Sequence, residues 1–414
     1  MSLLKDSGSR TSMKSQSSPE STDENPARPI RLAILQRVCT GYRVPLFEQL
    51  SETEEVDMTL FIGEDVPNTK IKSGPDLRGI NYRKLKTLFL PLNARTLQWH
   101  VGLVGELRKF NPDVILCEGE SHFVGYLQAI GYKYLFNRRV ALMHWCYISL
   151  PGWPSIGGKG FRSLIKAFFR RFFDAFVVYS SFSKECLLKL GQPDEKVFVA
   201  TNVGGIQRFL SISDSMTDTT SKARQKLGLP ERFTVLYLGT LDENKRPGVM
   251  LDLAKKSDSE RFNFVLLGTG PLLESLLEQA TREELSNVFL PGRMVDELPL
   301  YLRSADVLMI PGRGGIVISE AMAFGLPIIV HQADGTEYDL VQDKVTGFHL
   351  SGGSVDDFYQ AIKYLQINPD ICAEMGQKSK QLVETKFTID NMVNQIKRAA
   401  HYVKKASHDR NYNT

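Results

Sequence analysis

The sequence predicts an α/β fold in which two Rossmann-like domains face each other across a cleft. Strand and helix patterns alternate from residue 29 onward, as they do in doubly wound sheets. The strand patterns are continuous apolar runs, which indicates parallel strands covered on both faces. The alternation of strands and helices restarts after a polar stretch at residues 211–221, which predicts two separate α/β domains.

The composition excludes several classes of protein. A chain of 414 residues is long enough for two hydrophobic cores, and 42% apolar with 24% charged residues is ordinary for a globular protein. A net charge of +4, with no recognisable nucleic-acid-binding module, argues against a nucleic-acid partner. The five cysteines have no CxxC spacing, which predicts buried thiols rather than disulfides or a zinc site.

The same patterns divide the chain. Residues 1–28 are rich in polar residues and lack the apolar core of a secretory signal, so we expect a disordered tail. No later segment offers about 18 uninterrupted apolar residues, so no membrane span is predicted and a cytoplasmic location is expected. We expect a first domain at 29–208, a linker at 209–225 and a second domain at 226–388. Residues 389–414 are expected to form a helix that returns to the first domain, followed by a tail.

Ten apolar runs are predicted to be strands. Ligands of such sheets bind beyond the carboxyl ends of the strands, so the two sets of strand ends should face the cleft. The runs in the first domain are 31–35, 57–62, 113–116, 140–143 and 175–179, and those in the second are 234–239, 262–268, 288–290, 306–310 and 328–330.

A glycine-rich turn follows the run at 306–310 and leads into a helix that carries Glu320. Backbone N–H groups in such a turn can approach an anion, and the helix N-terminus adds a favourable dipole. Glu320 could then accept a hydrogen bond from a ribose hydroxyl. The alternative is an ordinary strand–turn–helix unit with a glutamate placed for the helix dipole.

Two adjacent cations, Lys245 and Arg246, follow the first strand of the second domain. They suit a diphosphate, since lysine supplies a point charge and arginine can bind two oxygens at once. A solvated pair on a loop is the simpler alternative.

The turn and helix at 312–330 resemble the nucleotide-sugar site of family 4 glycosyltransferases, which have the two-domain glycosyltransferase-B fold. The tail Ala321-Met-Ala-Phe-Gly-Leu-Pro327 matches, and Glu320 stands at the second glutamate of the family motif. Gly312 stands where that motif has its first glutamate, beside the donor sugar. Lys245 aligns with the family's phosphate-binding lysine, while Thr240 replaces its arginine, and Arg246 is a candidate substitute. The resemblance covers about residues 30 to 400.

The resemblance implies further site residues. His144 matches a histidine that helps to position the transferred sugar, and Gly41 lies in a loop that faces the donor phosphates. A structural histidine and a plain turn are the respective alternatives. The implied catalytic residues are His144, Lys245 and Arg246. The implied nucleotide-sugar-binding residues are Gly41, Thr240, Gly292, Arg293, Met294, Gly312, Gly314, Gly315, Ile316, Val317 and Glu320.

A basic and aromatic run at residues 159–173 predicts a helix with phenylalanines at helical spacing on one face and cations on another. Such helices lie in the headgroup region of anionic membranes. The alternative is a helix whose aromatic side chains pack on the sheet. The residues predicted to face a membrane are Phe161, Arg162, Lys166, Phe168, Phe169 and Arg170.

The resemblance implies a retaining hexosyltransferase that needs no metal or other cofactor. It would move a sugar from a nucleotide-diphosphate sugar, with UDP or GDP as the nucleotide, to a saccharide or lipid-linked acceptor in surface polysaccharide or glycoconjugate synthesis. Peripheral contact with the anionic inner face of the cell membrane is expected. The alternatives are a catalytically silent partner protein of the same fold, a nucleotide-sugar epimerase and a phosphorylase.

Overall fold

The strands predicted from the apolar runs form two parallel sheets. The computed structural model describes residues 28–67, 72–74, 77–89, 98–119, 123–146 and 167–412. The tail predicted at residues 1–28 therefore lies, except for Arg28, outside the described residues. The predicted fold class is confirmed, because each sheet belongs to its own α/β domain.

The strands of the first sheet are β1 Ile30–Gln36, β2 Val56–Ile62, β3 Tyr82–Lys84, β6 Val114–Glu118, β7 Ala141–Cys146, β8 Ala175–Val178 and β9 Val197–Val199; β4 Thr87–Phe89 and β5 Gln98–His100 form a separate antiparallel pair. The strand order in the sheet is β3-β2-β1-β6-β7-β8-β9, and the direct neighbours of β1 are β2 and β6. The order reverses between β1 and β6, so the crevice at the carboxyl ends of the strands opens there.

Helices cover both faces of this sheet, and they bury the apolar side chains that made the strands recognisable. The helices of this half are α1 Val44–Ser51, α2 Leu103–Phe110, α3 Phe123–Leu135 and α4 Ser181–Lys189. Residues 167–170 are also helical.

The second sheet has the strand order β12-β11-β10-β13-β14-β15, which reverses between β10 and β13. Its strands are β10 Phe233–Leu238, β11 Phe262–Leu267, β12 Val288–Gly292, β13 Val307–Ile310, β14 Ile328–Val330 and β15 Gly347–His349. The helices that follow α4 are α5 Ile206–Ser215, α6 Thr220–Lys226, α7 Gly248–Lys256, α8 Leu273–Arg282, α9 Leu298–Ser304, α10 Ile316–Ala323, α11 Glu337–Leu340, α12 Val355–Ile367, α13 Pro369–Thr385 and α14 Ile389–Tyr412.

The polar stretch predicted as a linker is largely helical, because it belongs to α5 and α6. Ile206, Leu210 and Ser213 are buried at helical spacing along α5, which gives this polar segment an apolar contact face. Thr219 caps α6 by accepting a hydrogen bond from the Lys222 amide. A polar composition therefore concealed two helices, of which α5 is amphipathic.

The last helix, α14, packs against the first domain rather than the second. It contacts α1, β7, β8 and β9, and Tyr402 lies 5.8 Å from Phe198 between ring centroids. Lys397 pairs with Glu55, and Ile396 and Val403 are fully buried. The chain thus crosses between the domains twice.

All five cysteines are buried free thiols, as predicted. Among the described residues, no helix combines the length and the apolar character that crossing a membrane requires.

Candidate nucleotide-sugar site

A cavity of about 580 Å³ lies at the carboxyl ends of β10, β11 and β12. Three residues predicted from the sequence line it: Thr240, Arg293 and Met294. Gly292, also predicted, ends β12 directly before Arg293. Lys72 of the first domain also lines it, so the cavity lies between the domains. The other lining residues are Leu238, Gly239, Leu267, Gly268 and Thr269.

Lys245 lies beside this cavity on a short 3-10 turn. The Asp242 side chain caps the turn by accepting hydrogen bonds from the amides of Asn244 and Lys245, at 3.0 and 3.2 Å. The Lys245 Nζ lies close to Gly239, since a Cβ atom at position 239 would be only 3.2 Å away. Burial lowers the pKa of Lys245, while Asp242 and Asp334 oppose that change. Among the described residues the ammonium has no ion-pair partner within 4.0 Å, which leaves it available to an anion.

Arg246 adopts a left-handed backbone conformation, with φ of 53°. Its guanidinium donates to two carbonyl oxygens, that of Pro311 at 3.2 Å and that of Gly353 at 2.7 Å. These bonds tie the turn after β10 to the loops after β13 and β15. The predicted phosphate role of Arg246 must therefore use its remaining donors.

Gly312 lies directly against the turn that carries Lys245. A Cβ atom at position 312 would be 2.5 Å from the carbonyl oxygen of Asn244 and 2.9 Å from the Cα of Lys245, so no side chain fits there. The Arg313 amide donates to that same carbonyl at 3.0 Å. The backbone of the lysine turn occupies the space that a glutamate at position 312 would need.

The glycine turn continues into α10, which begins at Ile316, so Gly314 and Gly315 precede the helix and Val317 lies in its first turn. The carboxylate of Asp334 packs on Gly315. A Cβ atom at position 315 would overlap Oδ2 of that carboxylate and lie 2.7 Å from Oδ1. An acidic side chain therefore lies at the start of the helix where the sequence predicts an anion site.

Glu320 lies in the second turn of α10, close to the segment where the chain crosses between domains. A Cβ atom at Gly204 would be 3.6 Å from its Oε1. Burial raises the pKa of Glu320 to about 7, and the nearby Arg208 opposes the rise. Its carboxyl group accepts no hydrogen bond from a described residue, so it can bind a ligand hydroxyl.

The first domain contributes two loop segments to the cleft. Gly41 lies in a 3-10 turn after β1, and a Cβ atom at Gly74 would be only 3.0 Å from the Gly41 Cα. The Gly74 amide donates to the Cys39 carbonyl at 2.6 Å. This contact holds the segment of Lys72 and Gly74 against the turn of Gly41, and Gly41 itself is not among the residues that line the cavity.

Arg43 joins four strand ends beside that loop. Its guanidinium donates to the Glu118 Oε1 at 3.3 Å and to the Tyr179 hydroxyl at 2.7 Å, and lies 4.7 Å from the Trp145 ring centroid. Glu118, at the carboxyl end of β6, also accepts from the Arg37 amide at 2.8 Å. This buried cluster fixes the loop that carries Gly41.

The sequence predicts that His144 lies at the end of its strand, but β7 continues to Cys146. Its ring stacks on Phe173 with centroids 4.6 Å apart, and Tyr126 and Phe176 meet it edge-on. Burial lowers the pKa of His144 to about 3, so the ring is neutral at physiological pH. It is not among the residues that line the cavity, and its catalytic role stays a prediction.

The basic and aromatic run is only partly described, because Phe161, Arg162 and Lys166 lie outside the described residues. Residues 167–170 are helical, and a turn follows at Arg171 and Phe172. Phe173 is buried and Phe169 packs near Tyr126, while Phe168 is about half exposed. Phe173 therefore belongs to the core, as the alternative expects, while membrane contact of the residues predicted to face a membrane stays a prediction.

Sequence reasoning missed Lys72 and Asp334. Lys72 lies in a polar loop with no motif. Asp334 follows the carboxyl end of β14, so the rule that ligands bind beyond strand ends could have singled it out. Within the described part of the chain, no group of three or more His, Cys, Asp or Glu residues is arranged to hold a metal ion.

Comparison with protein families gives one match to the second domain. Residues 219–382 match the family described as glycosyl transferases group 1. The chain is 30% identical over 188 residues to the GDP-mannose-dependent alpha-(1-6)-phosphatidylinositol monomannoside mannosyltransferase of Mycobacterium tuberculosis, covering 42% of this chain and 48% of that protein. It is 29% identical over 193 residues to D-inositol 3-phosphate glycosyltransferase of Salinispora arenicola, covering 42% and 43%. The alignments thus span about half the length of these relatives.

Solved structures are similar over almost the whole chain. Anabaena HepE in complex with UDP superposes with a TM-score of 0.69 at 18% identity, covering 89% of this chain and 98% of HepE. Sucrose-phosphate synthase from Thermosynechococcus elongatus gives 0.68 at 16% identity, covering 91% and 100%. This likeness concerns the fold. The chain therefore has the glycosyltransferase-B fold, and its second domain matches the glycosyl transferases group 1 family.

Proposed function

We propose that this protein is a retaining glycosyltransferase of the family 4 type that moves a hexose from a nucleotide-diphosphate sugar to a saccharide or lipid-linked acceptor. A role in surface polysaccharide or glycoconjugate synthesis follows from such an acceptor. The observation that carries the proposal is the cavity beside Lys245, a partly buried cation with no ion-pair partner among the described residues, since all of the cavity's lining except Lys72 lies within the matched segment 219–382. Relatives named for GDP-mannose and a neighbour solved with UDP support a nucleotide-sugar donor.

The donor is proposed to bind with its base near Arg293 and Met294 and its diphosphate between Lys245 and the start of α10. An ammonium and a helix N-terminus both favour a phosphate. Glu320, whose pKa is about 7, can exchange hydrogen bonds with a ribose hydroxyl. Lys72 would contact the donor from the first domain when the domains are closed.

The chemistry assigned to these residues is electrostatic. Negative charge grows on the diphosphate as the bond to the sugar breaks, and Lys245 with the turn amides would stabilise it. The departing diphosphate would accept the proton of the acceptor hydroxyl on the same face of the sugar, which retains the anomeric configuration. The mechanism requires no metal ion, and closure of the cleft would limit hydrolysis of the donor.

The first test is a thermal-shift screen with UDP, GDP, dTDP, CMP and ADP, each with and without magnesium. Ligands that bind only the folded state raise the melting temperature. We expect one diphosphate to raise it in the absence of magnesium. If none of them does, the proposed donor site is wrong.

A catalytically silent protein of the same fold is the second candidate. Two observations favour it, the absence of an acid at position 312 and the use of Arg246 by two carbonyl groups. Such a protein would bind the nucleotide sugar without breaking the bond between its diphosphate and its sugar. Mass-spectrometric assay of donor turnover with a panel of saccharide and polyprenyl-phosphate acceptors distinguishes the two.

Peripheral contact with an anionic membrane is proposed for one face of the first domain. Phe168 is exposed there, and so are Tyr134, Leu135 and Phe136 at the end of α3, with Leu135 77% accessible. The guanidinium groups of Arg171 and Arg108 lie over the rings of Phe168 and Phe136, at 5.2 and 4.9 Å from the centroids. Exposed aromatic and aliphatic groups beside arginines suit a headgroup region.

Cosedimentation with phosphatidylglycerol vesicles tests this contact. The double variant Leu135→Ser/Phe168→Ser should stay folded, because both side chains are exposed, and should lose most of its vesicle binding. Ile367→Ser is the matched control, since the exposure of Ile367, on the second domain, lies between those of Phe168 and Leu135. Equal binding by all three proteins would exclude this face.

A further inference from the structure

The Asp334 carboxylate lies at the start of α10, and only one of its two oxygens is hydrogen-bonded to described residues. Its Oδ1 accepts from the Thr336 amide at 3.1 Å and from the Thr336 hydroxyl at 2.5 Å. Oδ2 packs over Gly315 and accepts no hydrogen bond from a described residue. Burial raises the pKa of Asp334, which is the cost of desolvating an incompletely bonded carboxylate.

The loop that carries Asp334 is held in place from within. Glu337, itself buried, accepts hydrogen bonds from the Ala333 amide at 2.9 Å and the Gly335 amide at 2.6 Å. The carboxylate of Asp334 is therefore fixed against the helix. Lys245 is near enough to act on it electrostatically but does not pair with it.

A ligand group that meets Asp334 must donate a hydrogen bond. The diphosphate, bound between Lys245 and α10, cannot do so, and a phosphate oxygen placed against Oδ2 would be repelled. The part of the donor attached to the diphosphate is the sugar, whose hydroxyl groups are good donors to a carboxylate. The backbone of the turn that carries Lys245 leaves no room for a side chain at Gly312. The carboxylate near this turn is instead that of Asp334, which belongs to the loop after β14.

We propose that Asp334 recognises the transferred sugar by accepting a hydrogen bond from one of its hydroxyl groups through Oδ2. This inference rests on the proposed function, since it assigns a residue to the sugar end of the same donor. Asp334 thereby acts as a specificity-determining residue, sensitive to the configuration of the hydroxyl that it contacts. Its contribution should appear in binding of the nucleotide sugar and be absent from binding of the nucleotide alone.

The test compares wild type with Asp334→Asn, which keeps the size of the side chain and an acceptor for Thr336. Calorimetry measures affinity for UDP and GDP, and for UDP-glucose, UDP-galactose and GDP-mannose. A hydrogen bond to a charged group predicts a loss of about ten- to a hundredfold in nucleotide-sugar affinity. Affinity for the free nucleotide should stay equal or rise, because a negative charge beside the diphosphate is removed. Asp252→Asn, an exposed aspartate on α7, is the control for net charge.

The outcomes separate the two proposals. Failure of wild type to bind any of the nucleotides overturns the proposed function itself. A parallel loss for nucleotide and nucleotide sugar in Asp334→Asn overturns the sugar contact, and so does an unchanged affinity for both. If magnesium strengthens nucleotide binding in wild type but not in Asp334→Asn, the carboxylate holds a cation and the sugar assignment is wrong. The melting temperature of each variant identifies any loss of folding.

Discussion

At the scale of single residues, the proposed donor site depends on the cation Lys245. This side chain is partly buried, its turn is capped by Asp242, and it forms no ion pair with the described residues. Lys245→Ala should weaken binding of the nucleoside diphosphate by about 1.5–3 kcal/mol, the usual worth of a hydrogen bond to a charged group. Calorimetry with the diphosphate that gives a thermal shift measures the loss. Lys378→Ala, an exposed lysine on α13, should have no effect, and an unchanged affinity for Lys245→Ala would remove that residue from the site.

His144 gives a second prediction at this scale. The unfolded-state pKa is about 6.5 and the folded-state pKa about 3, so the unfolded chain binds the proton first as pH falls. Protonation of His144 in the unfolded chain therefore lowers the free energy of unfolding as the pH drops below 6.5, by roughly 1.4 kcal/mol at pH 5.5. Above pH 6.5 this loss is absent. His144→Phe, which suits the aromatic surroundings, should remove that part of the pH dependence.

Urea unfolding of both proteins at pH 7.5 and 5.5 measures this difference. The same variant also tests the catalytic prediction for His144. If His144 helps to position the transferred sugar, this variant should lose a hundredfold or more in transfer rate while keeping normal stability. A transfer rate close to that of wild type would show that the buried ring is structural only.

At the scale of elements, buried charge holds the second sheet to the helices before it. Arg224 of α6 pairs with Glu231 and with Asp306, which precedes β13, and donates to the Ser304 carbonyl at 3.0 Å. Asp306 also accepts from the Thr234 amide at 2.6 Å at the start of β10. One arginine therefore connects three elements that are distant in sequence.

Removing this arginine should leave the partly buried Asp306 without its charged partner, at a cost of about 1–3 kcal/mol in the free energy of unfolding. Arg224→Met measured by urea unfolding tests the expectation, with Arg282→Met as the exposed control, which should cost under about 1 kcal/mol. Arg224→Met/Asp306→Asn should recover part of the loss. If the single variant is as stable as the control, the ion pair is not what holds these elements.

Much of this element structure could be predicted from the sequence, because parallel strands buried on both faces give continuous apolar runs. The runs at 234–239 and 262–268 correspond to β10 and β11. Helices with few apolar residues give no such signal, so the polar residues 209–225, which belong largely to α5 and α6, are predicted to be a linker. The candidate site residues came from strand ends and glycine turns, and the same strand-end rule could have singled out Asp334, although its contact with Gly315 belongs to the tertiary structure. Arg43 could not be predicted, since its role depends on contacts with residues such as Glu118 that no local pattern encodes.

At the scale of the whole molecule, the loop that holds Asp334 also joins the two domains. Asp339 accepts from the Ser181 amide at 2.9 Å, from the Ser181 hydroxyl, and from the Thr201 hydroxyl at 3.3 Å. Tyr338 stacks on Phe182 with centroids 4.9 Å apart. Residues 333–340 thus contact both the start of α10 and the first domain. A change in the orientation of the domains should therefore move this loop and change the shape of the proposed donor site.

Asp339→Ala should loosen this connection without touching the cavity. Two hydroxyl donors and one amide of the first domain would lose their acceptor, which should favour a more open arrangement of the domains. Closure of a cleft completes a site and excludes water, so we expect the variant to bind the nucleoside diphosphate within about threefold of wild type but to transfer sugar at least tenfold more slowly. Small-angle scattering of the nucleotide-bound protein should show a larger radius of gyration than wild type. Asp343→Ala, an exposed aspartate in the next turn, is the control. Identical scattering and transfer rates for Asp339→Ala and wild type would mean that the domains are oriented by their other contacts, such as α14, and that this loop serves the donor alone.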